Sequence, residues 1–281
     1  MPTVAEKIFS WCCLLACIVP LFILAWLLGD TALVGIKRIN WNFLLGYPSR
    51  FAHEAGILPS LIGTLFLMLL VALIAIPLGV LSAIYLEEYS RDSFLKKLIE
   101  MNVANLAGVP SVIFGLLGLE LFVRALQLGP SLLAGALTLS LLILPVVITA
   151  AREALKMVPN TMREAGLALG GNRFLVTLRI VLPLSASQIL TGVVLALARA
   201  IGESAPLIVI GAATYIAFLP KSPLSEFSAL PLQIFQWVER PQAAFLENAS
   251  AAIVVLLVVL IFFNGIAAWL RHRQEKIRGR L

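Results

Sequence analysis

Residues 57–86 read ILPSLIGTLFLMLLVALIAIPLGVLSAIYL, a run without one charged side chain. A helix of this length, at 1.5 Å per residue, is longer than the ~30 Å hydrocarbon core of a bilayer. In lipid every backbone N–H and C=O must be paired within its own segment, so such a run becomes a helix. The excess length predicts that the helix tilts or bends, and Pro77 is the expected bending point.

The rest of the chain has the same apolar character. Its 281 residues are 60% hydrophobic and 13% charged, whereas a soluble domain is ~45–50% apolar and ~25% charged. A soluble interior has no room for that excess, so the bilayer is the expected solvent. The sequence predicts an all-α polytopic membrane protein with six transmembrane helices. They are roughly Ile8–Leu28, Ile57–Leu86, Val103–Phe122, Leu132–Ala151, Pro183–Ala213 and Ala249–Leu270.

The Lys and Arg residues divide unequally between the two sides of the membrane. One side has fourteen: Lys7, Arg91, Lys96, Lys97, Arg152, Lys156, Arg163, Arg173, Arg179, Arg271, Arg273, Lys276, Arg278 and Arg280. The other has six: Lys37, Arg38, Arg50, Arg124, Lys221 and Arg240. Because cytoplasmic loops carry the excess of Lys and Arg, both termini are expected in the cytoplasm. This rule also accounts for the net charge of +6, so nucleic acid is not an expected partner.

The N-terminal part predicts an anchor rather than a cleaved signal. All three cysteines, Cys12, Cys13 and Cys17, fall in the first apolar run, where reduced cysteine is ordinary. The run continues past Cys17 and is long enough to span, so we expect an uncleaved helix within residues 1–56. Residues 30–56 are expected to form a polar outer loop. The two histidines stand apart from other ligand residues, so no metal site is expected.

Residues 152–183 lie on the predicted cytoplasmic side and are too long for a simple turn. Met162–Leu169 predicts two helical turns that end at Gly170 and Gly171. Asn172 is the expected N-cap of a second helix to Leu182, and Pro183 is expected to separate it from the fifth span. A soluble partner can push on such an element.

This segment resembles the EAA loop of ABC importer permeases. The matching positions are Glu164, Ala165, Gly166, Gly170, Ile180, Leu182 and Pro183. One departure is Gly166, where the pattern has a third Ala; glycine lowers helix propensity there by about 1 kcal/mol. The resemblance implies that residues 152–183 couple this chain to an ATPase.

Further stretches are similar to phosphate-importer permeases. They are IPLGVLSAIYLEEY at 76–89, LAGVPSVIFGL at 106–116, ARAIGESAPL at 198–207, and ALPLQIF at 229–235 with Arg240, Pro241 and Gln242. The last is similar to the PstA type of the two sister subunits. The resemblance covers about 57–272 and implies a type I importer (MetI-like) transmembrane domain there, followed by a basic cytoplasmic tail, 273–281. The resemblance also implies that the protein resides in the bacterial inner (plasma) membrane.

The same resemblance implies a set of partners. They are a second permease of the PstC type, two ATPase subunits of the PstB type, an outer phosphate-binding protein of the PstS type, and the lipid bilayer. The chain has no G-x-x-x-x-G-K-[ST] loop, so ATP hydrolysis is expected on other chains and no catalytic residue or cofactor is expected here.

The alternative function is a secondary carrier or channel for a small anion. Six spans without a detectable inverted repeat, and a cytoplasmic helical element that a carrier does not need, weigh against it. A membrane enzyme ranks third, because the sequence has no nucleophile–base pair or metal cluster.

Charged and helix-breaking residues within the apolar runs are candidates for the translocation pathway. Arg199 and Glu203 stand four residues apart in the fifth run, and charges at that depth rarely face lipid. They either line the pathway or form a buried ion pair that fixes helix packing. Pro110 and Ser111 interrupt the third run and serve either the pathway or close packing. Glu87 and Glu88, by contrast, are expected to be solvated.

Overall fold

The computed structural model describes residues 4–212 and 215–278. Its helices are α1 (Val4–Arg38), α2 (Trp41–Leu45), α3 (Leu58–Ile84), α4 (Phe94–Ala107), α5 (Ser111–Gly118), α6 (Leu132–Lys156), α7 (Asn160–Ala168), α8 (Arg173–Val176), α9 (Leu182–Ile201), α10 (Ala205–Val209), α11 (Leu230–Glu239) and α12 (Ala244–Arg278). Three π-helical segments extend α3, extend α5, and join α8 to α9: Tyr85–Tyr89, Leu119–Ala125 and Thr177–Val181. The last residues of the basic tail, 279–281, lie outside the described part.

The all-helical membrane architecture is confirmed. Within the described residues, 5 helices are long and apolar enough to cross a membrane: Ile8–Arg38, Leu58–Tyr89, Leu132–Lys156, Arg173–Ile201 and Ala244–Ile266. The bent pair Phe94–Ala107 and Ser111–Ala125 makes a sixth span if its two helices are taken together.

The third span differs from its prediction as one straight run, Val103–Phe122. The helix ends at Ala107, and α5 leaves at 106° to α4. Pro110 precedes the first residue of α5, with φ −57° and ψ 139°. Proline lacks an N–H and disfavours helical backbone in the residue before it, so the break falls at Gly108–Pro110. Hydropathy alone does not detect such a break.

The fifth span also differs from its prediction, which ran from Pro183 to Ala213. The continuous helical stretch is Arg173–Ile201, so Leu182 does not end a helix and Pro183 does not separate two elements. The π-helical segment Thr177–Val181 ends two residues before Pro183, and the N–H of Leu182 donates to the carbonyl of Thr177 five residues back. This wider turn lets the helix continue although proline has no N–H to donate. Ala213 lies outside the described residues.

Helix α6 is the centre of the bundle. Its most apolar stretch is 67% buried, compared with 33% for the stretch that includes α3 and 33% for the one that includes α9. Small residues allow this close packing. A Cβ on Gly79 of α3 would lie 2.5 Å from Val147 Cγ1, and one on Gly192 of α9 would overlap the Cβ of Ala150. None of the most apolar stretch of helix α1 is buried, and its three free cysteines are exposed.

The segment between α1 and α3 is more ordered than the loop predicted at residues 30–56. Helix α1 continues to Arg38, whose Nε donates to Asn248 Oδ1 on α12 at 2.7 Å and whose Nη2 donates to the Ala52 carbonyl at 2.9 Å. A second apolar cluster joins this segment to α11 and α12 and contains Phe43 and Trp237. Helix α11 spans Leu230–Glu239, and Trp237 on this helix is buried within the cluster.

Candidate functional site

Helix α7 ends in a glycine turn that the sequence predicts. Gly170 has a φ of +86°, which side-chain-bearing residues rarely adopt. The Gly171 N–H donates to the Gly166 carbonyl at 3.2 Å, and the Gly170 N–H donates to the Leu167 carbonyl at 2.9 Å. This pair of bonds is a Schellman motif. The Asn172 side chain then accepts from the Leu175 N–H at 2.8 Å, so the predicted N-cap is confirmed.

The motif residues divide into a packed set and an exposed set. Gly166 is buried, and a Cβ there would lie only 2.6 Å from Ile180 Cδ1. Glycine in place of the pattern's third alanine therefore lets α7 approach the segment that leads into α9. Glu164 and Ala165 are exposed on the other side of α7. Leu182 is half-buried and Pro183 is exposed, both within the long helical stretch.

Glu87 and Glu88 are not solvated, contrary to the prediction. Their side chains are only 12% and 9% exposed. Arg152 Nε donates to Glu87 Oε1 at 2.7 Å, and Arg152 Nη2 to Glu100 Oε1 at 2.5 Å. Arg163 Nη2 donates to Glu88 Oε1 at 2.7 Å. We call these five residues the inner charge cluster.

The inner charge cluster joins elements that are distant in the sequence. The Arg152–Glu87 and Arg163–Glu88 pairs span 65 and 75 residues. A helix end that carries two adjacent acidic residues usually faces water, and nothing local identifies its partners. A cavity of about 320 Å³ lies beside the cluster, between α7 and the segment that extends the C-terminal end of α3, with Lys156 and Arg173 also on its wall. Among the residues described, no group of three or more His, Cys, Asp or Glu side chains is placed to hold a metal ion.

Arg199 and Glu203 do not form the ion pair that their spacing suggests. Helix α9 ends at Ile201 and Gly202 caps it, so Glu203 leaves the helical face that carries Arg199. Arg199 is exposed and Glu203 is half-buried. Within residues 4–212 and 215–278, the salt bridges include neither side chain. Pro206 in the first turn of α10 starts a new helix instead.

The two helix interruptions lie on helices that touch each other. Pro110 and Ser111 stand at the start of α5, and residues 202–204 separate α9 from α10. Helix α5 packs directly on α10, where a Cβ on Gly115 would lie 2.8 Å from Pro206 Cα. Transporters build midplane sites from discontinuous helices of this kind. Pro110 is exposed and Ser111 is half-buried, so packing inside this chain does not enclose them.

These features define a membrane-embedded helical protein that carries a short, partly exposed helix, α7, on one face. The model of the family described as "Binding-protein-dependent transport system inner membrane component" matches residues 75–276. The match covers more than half of the chain and includes the whole of 152–183, so the chain belongs to this family. It is therefore a multi-pass permease subunit of an ABC transporter in the inner membrane.

Similar proteins are named as permeases for phosphate. Phosphate transport system permease protein PstA 1 of Mycobacterium tuberculosis (strain ATCC 25618 / H37Rv) is 33% identical over 268 residues, which cover 93% of this chain and 84% of that protein. PstA of Haemophilus influenzae is 33% identical over 247 residues, 87% of this chain and 86% of that protein. A bacterial alginate ABC transporter solved with its periplasmic protein has a chain with a TM-score of 0.65 and 16% identity, covering 95% of this chain and 98% of that one. This last likeness supports the fold.

Proposed function

We propose that this chain is the permease subunit of an ATP-driven importer of inorganic phosphate. It forms half of the translocation pathway and couples to ATPase subunits through residues 152–183. The observation that carries the coupling role is the geometry of α7, a short helix with a fixed end and an exposed outer face. Phosphate as the substrate is supported by the names of relatives that are about one third identical over most of their length.

The exposed face of α7 suits a soluble partner on the cytoplasmic side. Glu164 and Ala165 are exposed there, and two large apolar side chains, Met162 and Leu169, are 43% and 89% exposed. Exposed apolar groups next to a charged residue are typical of a docking surface. Gly166, Gly170 and Ile180 give the element its shape, while Leu182 and Pro183 lie where it continues into α9. The expected partners are two ATPase subunits of the PstB type.

The pathway role is proposed for Arg199, Glu203, Pro110 and Ser111. A charge at bilayer depth costs at least ~2.5–3.5 kcal/mol on insertion scales, so it is retained where it has a partner or a water-filled route. Arg199 is exposed at the surface of this chain without a salt bridge among the described residues. A passing anion, or a second permease of the PstC type that forms the other half of the pathway, supplies the missing partner.

The proposed orientation puts both termini and the inner charge cluster in the cytoplasm. The outer ends of α3 and α6 then lie outside with α11, beside the surface that receives a phosphate-binding protein of the PstS type. Two contacts support a shared outer surface: Ser60 on α3 hydrogen-bonds Gln233 on α11 at 3.3 Å, and Ser131 pairs with Glu226. The proposed division of the chain is an anchor region 1–56, the transmembrane domain 57–272, and the basic tail 273–281.

Reconstitution of the whole importer in liposomes tests the function. The assay measures the uptake of radioactive phosphate with ATP enclosed on the ATPase side and the binding protein on the other. We expect accumulation that requires both ATP and the binding protein. Phosphate uptake by this chain alone, without ATP, would instead support an anion carrier. Accumulation of a different oxyanion with no phosphate uptake would contradict the substrate assignment.

A further inference from the structure

Arg163, the residue immediately before the exposed Glu164, turns inward and contacts two other helices. Its Nε and Nη2 both donate to Glu88 Oε1, at 3.1 Å and 2.7 Å, and its Nε also reaches Glu88 Oε2 at 3.3 Å. Its Nη2 also donates to the Leu155 carbonyl at 2.9 Å, and its Nη1 to the Val158 carbonyl. Leu155 lies in the last turn of α6 and Val158 lies two residues beyond the end of that helix, where backbone carbonyls lack the usual helical donors. One guanidinium therefore joins α7 to the ends of α3 and α6.

This ion pair is as well protected from water as the Arg152–Glu87 pair and much better protected than the Lys96–Asp92 pair. The side chains of Arg163 and Glu88 are 20% and 9% exposed. In the Lys96–Asp92 pair, by contrast, the Asp92 carboxylate is 94% exposed. Salt and water screen exposed pairs, so these contribute little to structure. A carboxylate as buried as that of Glu88 needs its partner, because an unpaired buried charge is strongly unfavourable.

Apart from this ion pair, α7 has few contacts with α3. Helix α7 packs mainly on α8 and on the π-helical segment that follows α8. The other arginine of the inner charge cluster, Arg152, joins Glu87 at the end of α3 to Glu100 on α4. The C-terminal parts of α3 and α6 are thus connected to each other and to the middle of α4. The Arg163–Glu88 pair connects α7 to these helices as well.

We propose that the Arg163–Glu88 ion pair is a mechanical link that makes the inner end of α3 follow the displacement of α7. Both act as positioning residues, since neither is among the residues proposed for the translocation pathway. The inference rests on the proposed coupling of α7 to an ATPase and deepens it by naming the route inward. If the pair is removed, α7 tilts on α8 while α3 stays in place, so the ATPase cycle continues with less transport.

The first test does not depend on transport. A spin label is placed on the exposed face of α7 by Ala168→Cys, in a chain whose three native cysteines are replaced by alanine. The full chain is studied in lipid nanodiscs. We expect Glu88→Gln to increase the mobility of the label, whereas the matched control Asp92→Asn, which removes an exposed acid on the same side, leaves it unchanged. An unchanged spectrum in Glu88→Gln would contradict the link.

The second test measures phosphate taken up per ATP hydrolysed by the whole reconstituted importer. Coupling between sites typically corresponds to ~5–150-fold effects, and we expect Glu88→Gln and Arg163→Gln each to lower this ratio by about tenfold while ATP hydrolysis persists. Asp92→Asn should match the wild type. If the wild-type importer does not accumulate phosphate, the proposed function fails. If the wild type does and both variants keep its ratio, only the link is refuted.

A covalent replacement completes the experiment. Glu88→Cys and Arg163→Cys are combined in the chain without native cysteines and joined by a short bismaleimide. A fixed connection between α7 and α3 should return the uptake per ATP toward the wild-type value, compared with the same protein before reaction. A further loss of uptake after cross-linking would mean that the pair must open during the cycle, which overturns the proposal.

Discussion

Gly170 offers a quantitative test of the turn that ends α7. The residue has a φ of +86°, and a Cβ added to it would meet nothing within 4 Å. Substitution is therefore unfavourable for conformational reasons alone. A left-handed conformation costs an L-residue about 1–2 kcal/mol, so Gly170→Ala should destabilise the turn by that amount. Asparagine tolerates this region better, so Gly170→Asn should cost less.

Hydrogen–deuterium exchange of the peptide that spans α7 and its turn measures this cost directly. The Gly171 N–H, which donates to the Gly166 carbonyl, is protected only while the turn is closed. A loss of 1–2 kcal/mol corresponds to exchange about 5–30-fold faster in Gly170→Ala. Because the space around the Cβ is open, Gly170→Arg should exchange as fast as Gly170→Ala.

Binding of the ATPase subunits distinguishes Gly170→Arg from Gly170→Ala. The arginine side chain projects from the turn into the space where a partner binds, so Gly170→Arg should abolish co-purification of the ATPase subunits and phosphate uptake. Gly170→Ala should weaken both only in proportion to the opened turn. The reasoning is refuted if Gly170→Ala exchanges at the wild-type rate, or if Gly170→Asn exchanges faster than Gly170→Ala.

Three further predictions concern docking, topology and the pathway. Glu164→Lys should leave the protein in the membrane but abolish ATPase co-purification, since it reverses an exposed charge on the docking face; normal uptake would contradict this role. In a chain without native cysteines, an impermeant thiol reagent outside the cell should label Leu224→Cys and not Asn160→Cys; the reverse would overturn the orientation. Arg199→Gln should assemble and fail in phosphate uptake, and adding Glu203→Gln should not restore it; full uptake by the double variant would exclude Arg199 from the pathway.

Local signals explain why α7 and its surroundings could be predicted. Gly170 adopts a conformation that only its own residue type favours, and Asn172 caps a helix that starts at the next residue. Both effects act over a few residues and are therefore visible in the chain itself. The spacing of the motif at residues 164–183 is visible for the same reason, because it encodes one helix, one turn and the first turns of the next helix.

Composition alone does not predict the breaks in the third and fifth spans. A bent pair of helices and one straight helix have the same hydropathy, so apolar run length predicted Val103–Phe122 as a single span. The prolines alone do not predict where a helix breaks. Pro110 breaks a helix, whereas Pro183 lies within a helical stretch that a π-helical segment keeps continuous. The effect of a proline depends on whether the neighbouring backbone finds other hydrogen bonds, which is a property of the folded protein.

The sequence by itself determined that this chain resides in a membrane, that it is helical, and that α7 ends where it does. Those outcomes follow from the transfer of apolar residues out of water and from hydrogen bonds between near neighbours. Only the tertiary structure decided that Glu88 meets Arg163 and Glu87 meets Arg152, 75 and 65 residues away, and that Arg199 and Glu203 do not pair. An ion pair depends on the distance between two side chains in space, not on their separation in the sequence. The ends of α3 and α7 come close to each other beside α6 only once the helices have packed.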